Sequence, residues 1–149
     1  MAELLFYHLE RSPLDAVLPQ LLEKTLARGW KAVVRAGSDE RIQALDAHLW
    51  TYRDDAFLPH GVEGGAHDDA QPVLLTTGVQ NPIGADVLFA VDGADITGAD
   101  TYHRCVVMFD GADPDAVKAA RGHWKAAKDA GHDATYWQQS TAGKWEKKA

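Results

Sequence analysis

Five short apolar runs constrain the fold of this chain more than any other feature. Each run is nearly continuous rather than alternating, which is typical of strands that are buried on both faces of a sheet. The runs cover residues 4–9, 32–34, 73–76, 87–91 and 105–109. They predict a sheet of at least five short strands.

Helical segments alternate with the first of these runs. Ser12 and Pro13 supply an N-cap and a first-turn proline, and apolar residues follow at helical spacing until Gly29 ends the pattern. Ser38 caps a second helix whose inner face carries Ile42, Leu45 and Leu49. Strand, helix, strand and helix within about fifty residues indicate crossover units on a parallel sheet. We expect residues 1–149 to form a single layered α/β domain, a size that needs no disulfides to stabilise its core.

The turns of the predicted fold carry no phosphate-binding or nucleophile motif. No G-x-G-x-x-G or G-x-x-x-x-G-K-[ST] occurs, and the turn after the first strand reads ERSP. None of the three serines lies in a G-x-S-x-G elbow. Cys105 lies inside an apolar run, which is typical of a small buried hydrophobe rather than of a thiolate nucleophile. We expect no catalytic residue.

Two groups of acidic or histidine residues could in principle form metal sites. One is a set of carboxylates that flank predicted strands, and the other lies in a long polar stretch; ordinary surface loops remain the favoured interpretation of both. The groups are Asp86, Asp92, Asp95 and Asp100, and His60, His67, Asp68 and Asp69. We expect neither a metal nor another cofactor.

Charge is distributed unevenly along the chain. The net charge is −7, but residues 117–149 hold seven basic and three acidic residues, whereas residues 1–116 hold eight basic and nineteen acidic ones. An acidic body therefore carries a basic C-terminal element. The N-terminus lacks a basic leader and no apolar run is long enough to cross a membrane, so we expect a soluble cytoplasmic protein.

The basic charge is concentrated on the last predicted helix, which begins at Asp113–Pro114 and ends before Gly131. Cations recur along one face of this helix, and an apolar row runs beside them one residue earlier. The cations are Lys118, Arg121, Lys125 and Lys128, and the apolar row is Val117, Ala120, Trp124 and Ala127. A solvated helix face is the ordinary interpretation. As a functional surface, the pattern suits an acidic peptide that ends in an aromatic side chain and a free carboxylate.

Several motifs resemble the chi subunit of bacterial DNA polymerase III holoenzyme. They are LFYHL at 5–9, LW at 49–50, FLPHG at 57–61, RGHWK at 121–125 and GHDATYWQQ at 131–139. They occur in order over nearly the whole chain. The resemblance implies a non-enzymatic adaptor with a Rossmann-like, mostly parallel sheet flanked by helices and no bound nucleotide.

The resemblance also implies two binding surfaces. In that family the last helix accepts the acidic, Phe-terminated tail of single-stranded DNA-binding protein, which assigns Arg121, Trp124 and Lys125 to tail binding. The cationic and apolar rows of the last helix add Val117, Lys118 and Lys128 as neighbours. The family's second surface, which docks the psi subunit of the clamp loader or a helicase, matches Trp50, Phe57, Pro59 and His60. Residues 138–149 depart from the family pattern, and we expect them to form a flexible tail.

Two other functional classes remain open. One is a small-molecule or nucleotide-dependent enzyme on the same fold. The other is direct nucleic-acid binding, because Trp124, Trp137 and Trp145 could stack on bases beside the basic helix. The acidic body opposes this second alternative, and we expect no direct DNA binding.

Overall fold

The part of the chain that the computed structural model describes contains eight strands, three α-helices and one short 3-10 helix, Ala99–Thr101. That part comprises residues 3–9, 14–51, 60–62, 72–79, 81, 83–91, 94, 96–139 and 145–148. The strands are β1 (Glu3–Leu9), β2 (Ala32–Arg35), β3 (Gly61–Val62), β4 (Val73–Thr76), β5 (Val87–Ala90), β6 (Arg104–Asp110), β7 (Asp133–Gln139) and β8 (Trp145–Lys147). The helices are α1 (Leu14–Ala27), α2 (Asp39–Thr51) and α3 (Pro114–Asp129).

All eight strands belong to one sheet, in the order β3-β4-β2-β5-β6-β1-β7-β8. Every neighbouring pair is parallel except β7 and β8, which are antiparallel. The predicted mostly parallel α/β fold is therefore confirmed. All five predicted strands exist, and every residue of β2, β4 and β5 is buried, as their continuous apolar sequence requires.

The two faces of the sheet pack against different helices. Residues of α1 and α2, such as Leu18 and Leu45, share one buried cluster with β2 and β5. Ala120 and Ala127 of α3 share a second cluster with Phe6 of β1. Because α3 lies on the opposite face from α1 and α2, its outward residues form a surface of their own.

The predicted helix boundaries agree with the capping contacts. The Ser38 Oγ accepts a hydrogen bond from the backbone N–H of Arg41 at 3.2 Å. The Asp113 carboxylate accepts bonds from the N–H groups of Asp115 at 3.0 Å and Ala116 at 3.4 Å, which satisfies the first turn of α3. Gly131 adopts φ +84° just beyond α3. The predicted Ser12–Pro13 cap lies outside the described residues.

Part of the predicted flexible tail at 138–149 belongs to the sheet, and residues 140–144 and 149 lie outside the described residues. Gln138 and Gln139 belong to β7, and Trp145–Lys147 form β8, which pairs with β7 through Trp137 opposite Lys147. β7 was not predicted, because its polar residues interrupt the apolar signal, although Thr135, Tyr136 and Trp137 favour strands. Trp145 packs against the cluster on the α1 and α2 face, which anchors β8 to the sheet.

The Cys105 thiol is free and buried in β6, as predicted. Burial raises the pKa of Cys105 to about 12, against a smaller opposing effect of the Arg35 guanidinium. The thiol is therefore protonated at neutral pH, which agrees with a packing role. None of the helices in the described ranges is both long and apolar enough to cross a membrane.

Candidate protein-binding surfaces

The four predicted cations of α3 all lie in solvent. Lys118, Arg121, Lys125 and Lys128 are exposed, and the sequence of α3 places no acid between Asp115 and Asp129. The helix that presents them is amphipathic, with Ala120 and Ala127 buried against the sheet. The structure therefore brings the predicted cations together along one outward row.

The apolar row borders this stripe where α3 meets the sheet. Val117 and Trp124 are partly buried and pack against the α3-side core cluster. The Lys128 Nζ lies 5.3 Å from the centre of the Trp124 ring, within the range of a cation–π contact. Cationic and aromatic groups thus adjoin, so a ligand that carries both carboxylates and an aromatic ring could contact both.

Trp124 has a polar group that is not satisfied within the described structure. Its indole Nε1 is buried and has no hydrogen-bond partner among the described residues. A buried N–H without an acceptor costs free energy, which makes Trp124 an unusual choice for a purely structural position. The adjacent Lys125 and Arg121 are exposed.

A second surface lies at the C-terminal end of α2, on the opposite face of the sheet. Trp50 is 53% exposed, which is rare for a tryptophan. One side of its indole packs on the His60 ring, with centroids 4.5 Å apart. His60 itself is buried, with its Nε2 3.0 Å from the Asp46 Oδ1.

Asp46 was not identified from the sequence. It lies four residues before Trp50, so the two side chains are one helical turn apart, and His60 contacts both. The i, i+4 spacing of Asp46 and Trp50 is visible in the sequence, but the contact of His60 with α2 is not. Phe57 and Pro59, also predicted for this surface, lie outside the described residues.

The three tryptophans proposed for base stacking do not form one surface. Trp124 lies on the α3 face, whereas Trp145 packs on the opposite face and stacks on Tyr7. Trp137 contacts the edge of Tyr7, and its indole N–H donates to the Thr135 hydroxyl at 2.9 Å. The arrangement does not support the nucleic-acid-binding alternative.

Neither of the two groups of possible metal ligands assembles in the described ranges, where no set of three potential ligands is close enough to hold an ion. The Asp86 carboxylate instead accepts a hydrogen bond from the Lys31 backbone N–H at 3.2 Å and lies 3.9 Å from the His103 Nε2. Asp92, Asp95, His67, Asp68 and Asp69 lie outside the described residues.

Comparison with known proteins gives a consistent assignment. Residues 1–135 match the family model for the DNA polymerase III chi subunit, HolC. The chain is also 29% identical over 96 residues to a protein of Rickettsia prowazekii (strain Madrid E) described as a probable DNA polymerase III subunit chi. That match covers 64% of this chain and 58% of the relative.

Proposed function

Because this chain belongs to the DNA polymerase III chi subunit family, an accessory subunit of the replicative polymerase, we propose that its α3 surface binds the tail of single-stranded DNA-binding protein. The ligand is an acidic peptide that ends in Phe with a free carboxylate. Through this contact the chain would link that protein to the clamp loader. The function is recognition without chemistry.

One observation carries this proposal: four exposed cations lie beside the partly buried Trp124, with the Lys128 Nζ 5.3 Å from its ring. Arg121 and Lys125 would hold the terminal carboxylate and nearby acids through charge-assisted hydrogen bonds. Val117 and Trp124 would contact the terminal phenyl ring at the border of the helix.

The direct test is a calorimetric titration of the full chain with a synthetic acidic peptide that ends in Phe. We expect Arg121→Ala or Lys125→Ala to weaken binding by about 1 to 3 kcal/mol without changing the fold. Lys24→Ala is the matched control, since Lys24 is an exposed helical lysine on α1, on the other face of the sheet. A peptide without its last Phe tests the aromatic contact. Unchanged affinities in both α3 variants would refute the assignment.

The second surface, around Trp50, is proposed to dock another replication protein, either psi or a helicase. An aromatic side chain that is 53% exposed favours an interaction site over a structural role. Trp50→Ala should abolish capture of psi or of the helicase in a pull-down with the purified candidate. Retention of both partners by this variant would remove Trp50 from the docking surface.

A further inference from the structure

We infer that Lys148 extends the tail-binding site of α3 to the edge of the sheet, where its ammonium group binds an acidic side chain of the same peptide. The inference rests on the proposed function of α3 and adds a residue beyond the family match, which ends at residue 135. Glu146 pairs with Lys148 in the free chain and competes with the peptide for it. The inference depends on the face of the sheet on which Lys148 lies, on its height relative to Trp124 and on its exposed ion pair.

The backbone pairing at the end of β8 places Lys148 on the α3 face of the sheet. The backbone N–H of Lys148 donates to the carbonyl oxygen of Tyr136 at 2.7 Å, so these two residues lie opposite each other. Residues opposite each other in an antiparallel pair share a face, and Tyr136 packs against the cluster that contains α3. Lys147 lies opposite Trp137, whose ring contacts Tyr7 on the other face. The two neighbouring lysines therefore point to opposite faces.

The cationic flank of α3 faces β7 and β8. Strands β6 and β7 run parallel on either side of β1, and a crossover between parallel strands of one sheet is right-handed. Seen from the N-terminus of α3 with the sheet above it, β7 therefore lies to the right. At roughly 100° per residue, Trp124 and Lys128 lie about 40° and 80° clockwise from the buried Ala120. Arg121 follows at about 100°, so this flank is the one that borders β7.

Lys148 lies at nearly the same height as Trp124 along α3. The helix ends at Asp129, and β7 begins at Asp133 and returns alongside it. Trp124 lies five residues before the end of α3, about 7.5 Å along its axis. Tyr136 lies three residues after the start of β7, about 10 Å along the strand. Trp124, Tyr136 and the lysine opposite Tyr136 therefore lie at similar heights.

Lys148 and the α3 cations border the same gap. Because α3 contacts β6, β1 and β7, its axis lies over β1, and β8 lies two strand spacings, about 10 Å, to the side. Arg121 and Lys125 lie on the helix side of this gap, and Lys148 lies on the sheet side. An extended peptide between them would have cations on both sides. The acidic residues that precede the terminal Phe suit this arrangement.

The ion pair of Lys148 is weak enough to exchange. Its Nζ lies 3.7 Å from the Glu146 Oε1, and the two side chains are 49% and 52% exposed. An exposed pair contributes little to stability, so a peptide carboxylate can replace Glu146. Glu146 lies two residues before Lys148 and shares its face, so its charge also repels an acidic ligand.

The test is a calorimetric titration of the full chain with Ac-Gly-Asp-Asp-Asp-Gly-Phe, which has a free carboxylate. We expect Lys148→Ala to weaken binding about two- to fivefold, because one exposed ionic contact is lost. Lys147→Ala is the matched control, since it removes the same charge from the other face of the sheet. Its affinity should stay within about 1.5-fold of wild type, because screening limits the reach of an exposed charge to about 8 Å. Glu146→Gln should strengthen binding about twofold by freeing Lys148.

A second peptide distinguishes an ionic contact from a structural effect. Ac-Gly-Asn-Asn-Asn-Gly-Phe keeps the terminal ring and carboxylate but has no charged side chains, so wild type and Lys148→Ala should bind it equally. The variant keeps the backbone N–H that donates to Tyr136, so β8 should stay in place. An equal loss of both peptides in Lys148→Ala would overturn the inference, because Lys148 would then not bind the acidic side chains.

Failure of this inference differs from failure of the tail-binding proposal. Weaker binding in Arg121→Ala with unchanged binding in Lys148→Ala overturns the Lys148 contact and leaves the α3 site. Equal losses in Lys148→Ala and Lys147→Ala also overturn that contact, because they report net charge rather than position. Unchanged affinity in both Arg121→Ala and Lys125→Ala refutes the α3 site, and the role of Lys148 in that site falls with it. Losses in Arg121→Ala and Lys148→Ala, with none in Lys147→Ala, support one site formed by α3 and the edge of the sheet.

Discussion

The indole of Trp145 stacks on the phenol of Tyr7, with ring centroids 4.8 Å apart and an angle of 29° between the planes. Tyr7 lies in β1, and Trp145 lies in the edge strand β8, which is separated from β1 by β7 alone. The contact therefore holds β8 against the side chains of β1. Residues 136–139 and 145–147, which lie beyond the end of the family match at residue 135, belong to strands of the sheet.

We expect Trp145→Ala to lower the free energy of unfolding by about 1 to 3 kcal/mol, because it removes a partly buried indole and its aromatic contact. Urea denaturation measures this change. Lys147→Ala is the control, since Lys147 is an exposed residue of the same short strand and should change stability by less than about 0.5 kcal/mol. Equal stabilities of wild type and Trp145→Ala would show that β8 does not contribute.

Gly111 occupies a position that admits no side chain. A Cβ there would overlap the His8 imidazole and come within 2.8 Å of the Leu9 carbonyl oxygen. The His8 ring has little freedom to move, because its Nδ1 lies 2.7 Å from the Tyr136 hydroxyl. We therefore expect Gly111→Ala to destabilise the fold by about 1 to 3 kcal/mol or more.

Gly122→Ala is the matched substitution for that experiment. Gly122 lies within α3, and a Cβ there would meet nothing within 4 Å. Because glycine is a poor helix former, this change should stabilise the chain by up to about 1 kcal/mol. Thermal denaturation of the two variants should give shifts of opposite sign. A stable Gly111→Ala variant would contradict the close approach of His8.

Burial of Cys105 predicts a loss of stability at alkaline pH. The pKa of this thiol rises from its ordinary value of 9.0 to about 12 in the folded chain, because burial disfavours the thiolate. Between these values the unfolded chain releases a proton that the folded chain retains, so stability is complete below pH 9 and declines as pH rises. The slope from this group is about 1.4 kcal/mol per pH unit.

Urea titrations of wild type and Cys105→Ala at pH 8.0, 9.0 and 10.0 measure this effect. The variant should be less stable at pH 8.0 because of the lost packing, yet its stability should decline less steeply from 9.0 to 10.0. Burial also raises the pKa values of Tyr7 and Tyr102 from 10.0, so the tyrosines add to the decline at higher pH in both proteins. Parallel slopes for the two proteins over this range would disprove the role of Cys105.

Local sequence signals predicted the strands and the helix starts, but they did not predict the contacts between distant segments. Continuous apolar runs identified the strands that are covered on both faces, and Ser38 and Asp113 identified helix starts because capping is a local interaction. β7 was missed because four of its seven residues are polar and leave no continuous apolar run. The strand order was not readable from the sequence, since pairing of β1 with both β6 and β7 depends on contacts more than one hundred residues apart.

The candidate surfaces show the same difference between local sequence signals and contacts between distant segments. The stripe on α3 was predictable because helical spacing alone places Lys118, Arg121 and Lys125 together. Trp50 and His60 were both singled out, but the contact of His60 with Asp46 was not, because these two residues lie 14 positions apart in the sequence. Sequence spacing thus locates a surface within one element, and tertiary contacts determine how its side chains are held.

The exposure of all four α3 cations predicts that binding of the acidic peptide depends on salt. Exposed charges are screened over about 8 Å near physiological ionic strength, so raising NaCl from 50 to 500 mM should weaken binding at least about fivefold. The double variant Arg121→Ala/Lys125→Ala should show a shallower dependence, because fewer ionic contacts remain. Fluorescence anisotropy with a labelled peptide measures both slopes, and Lys24→Ala should retain the wild-type slope. Equal slopes in wild type and the double variant would show that these two cations do not contact the peptide.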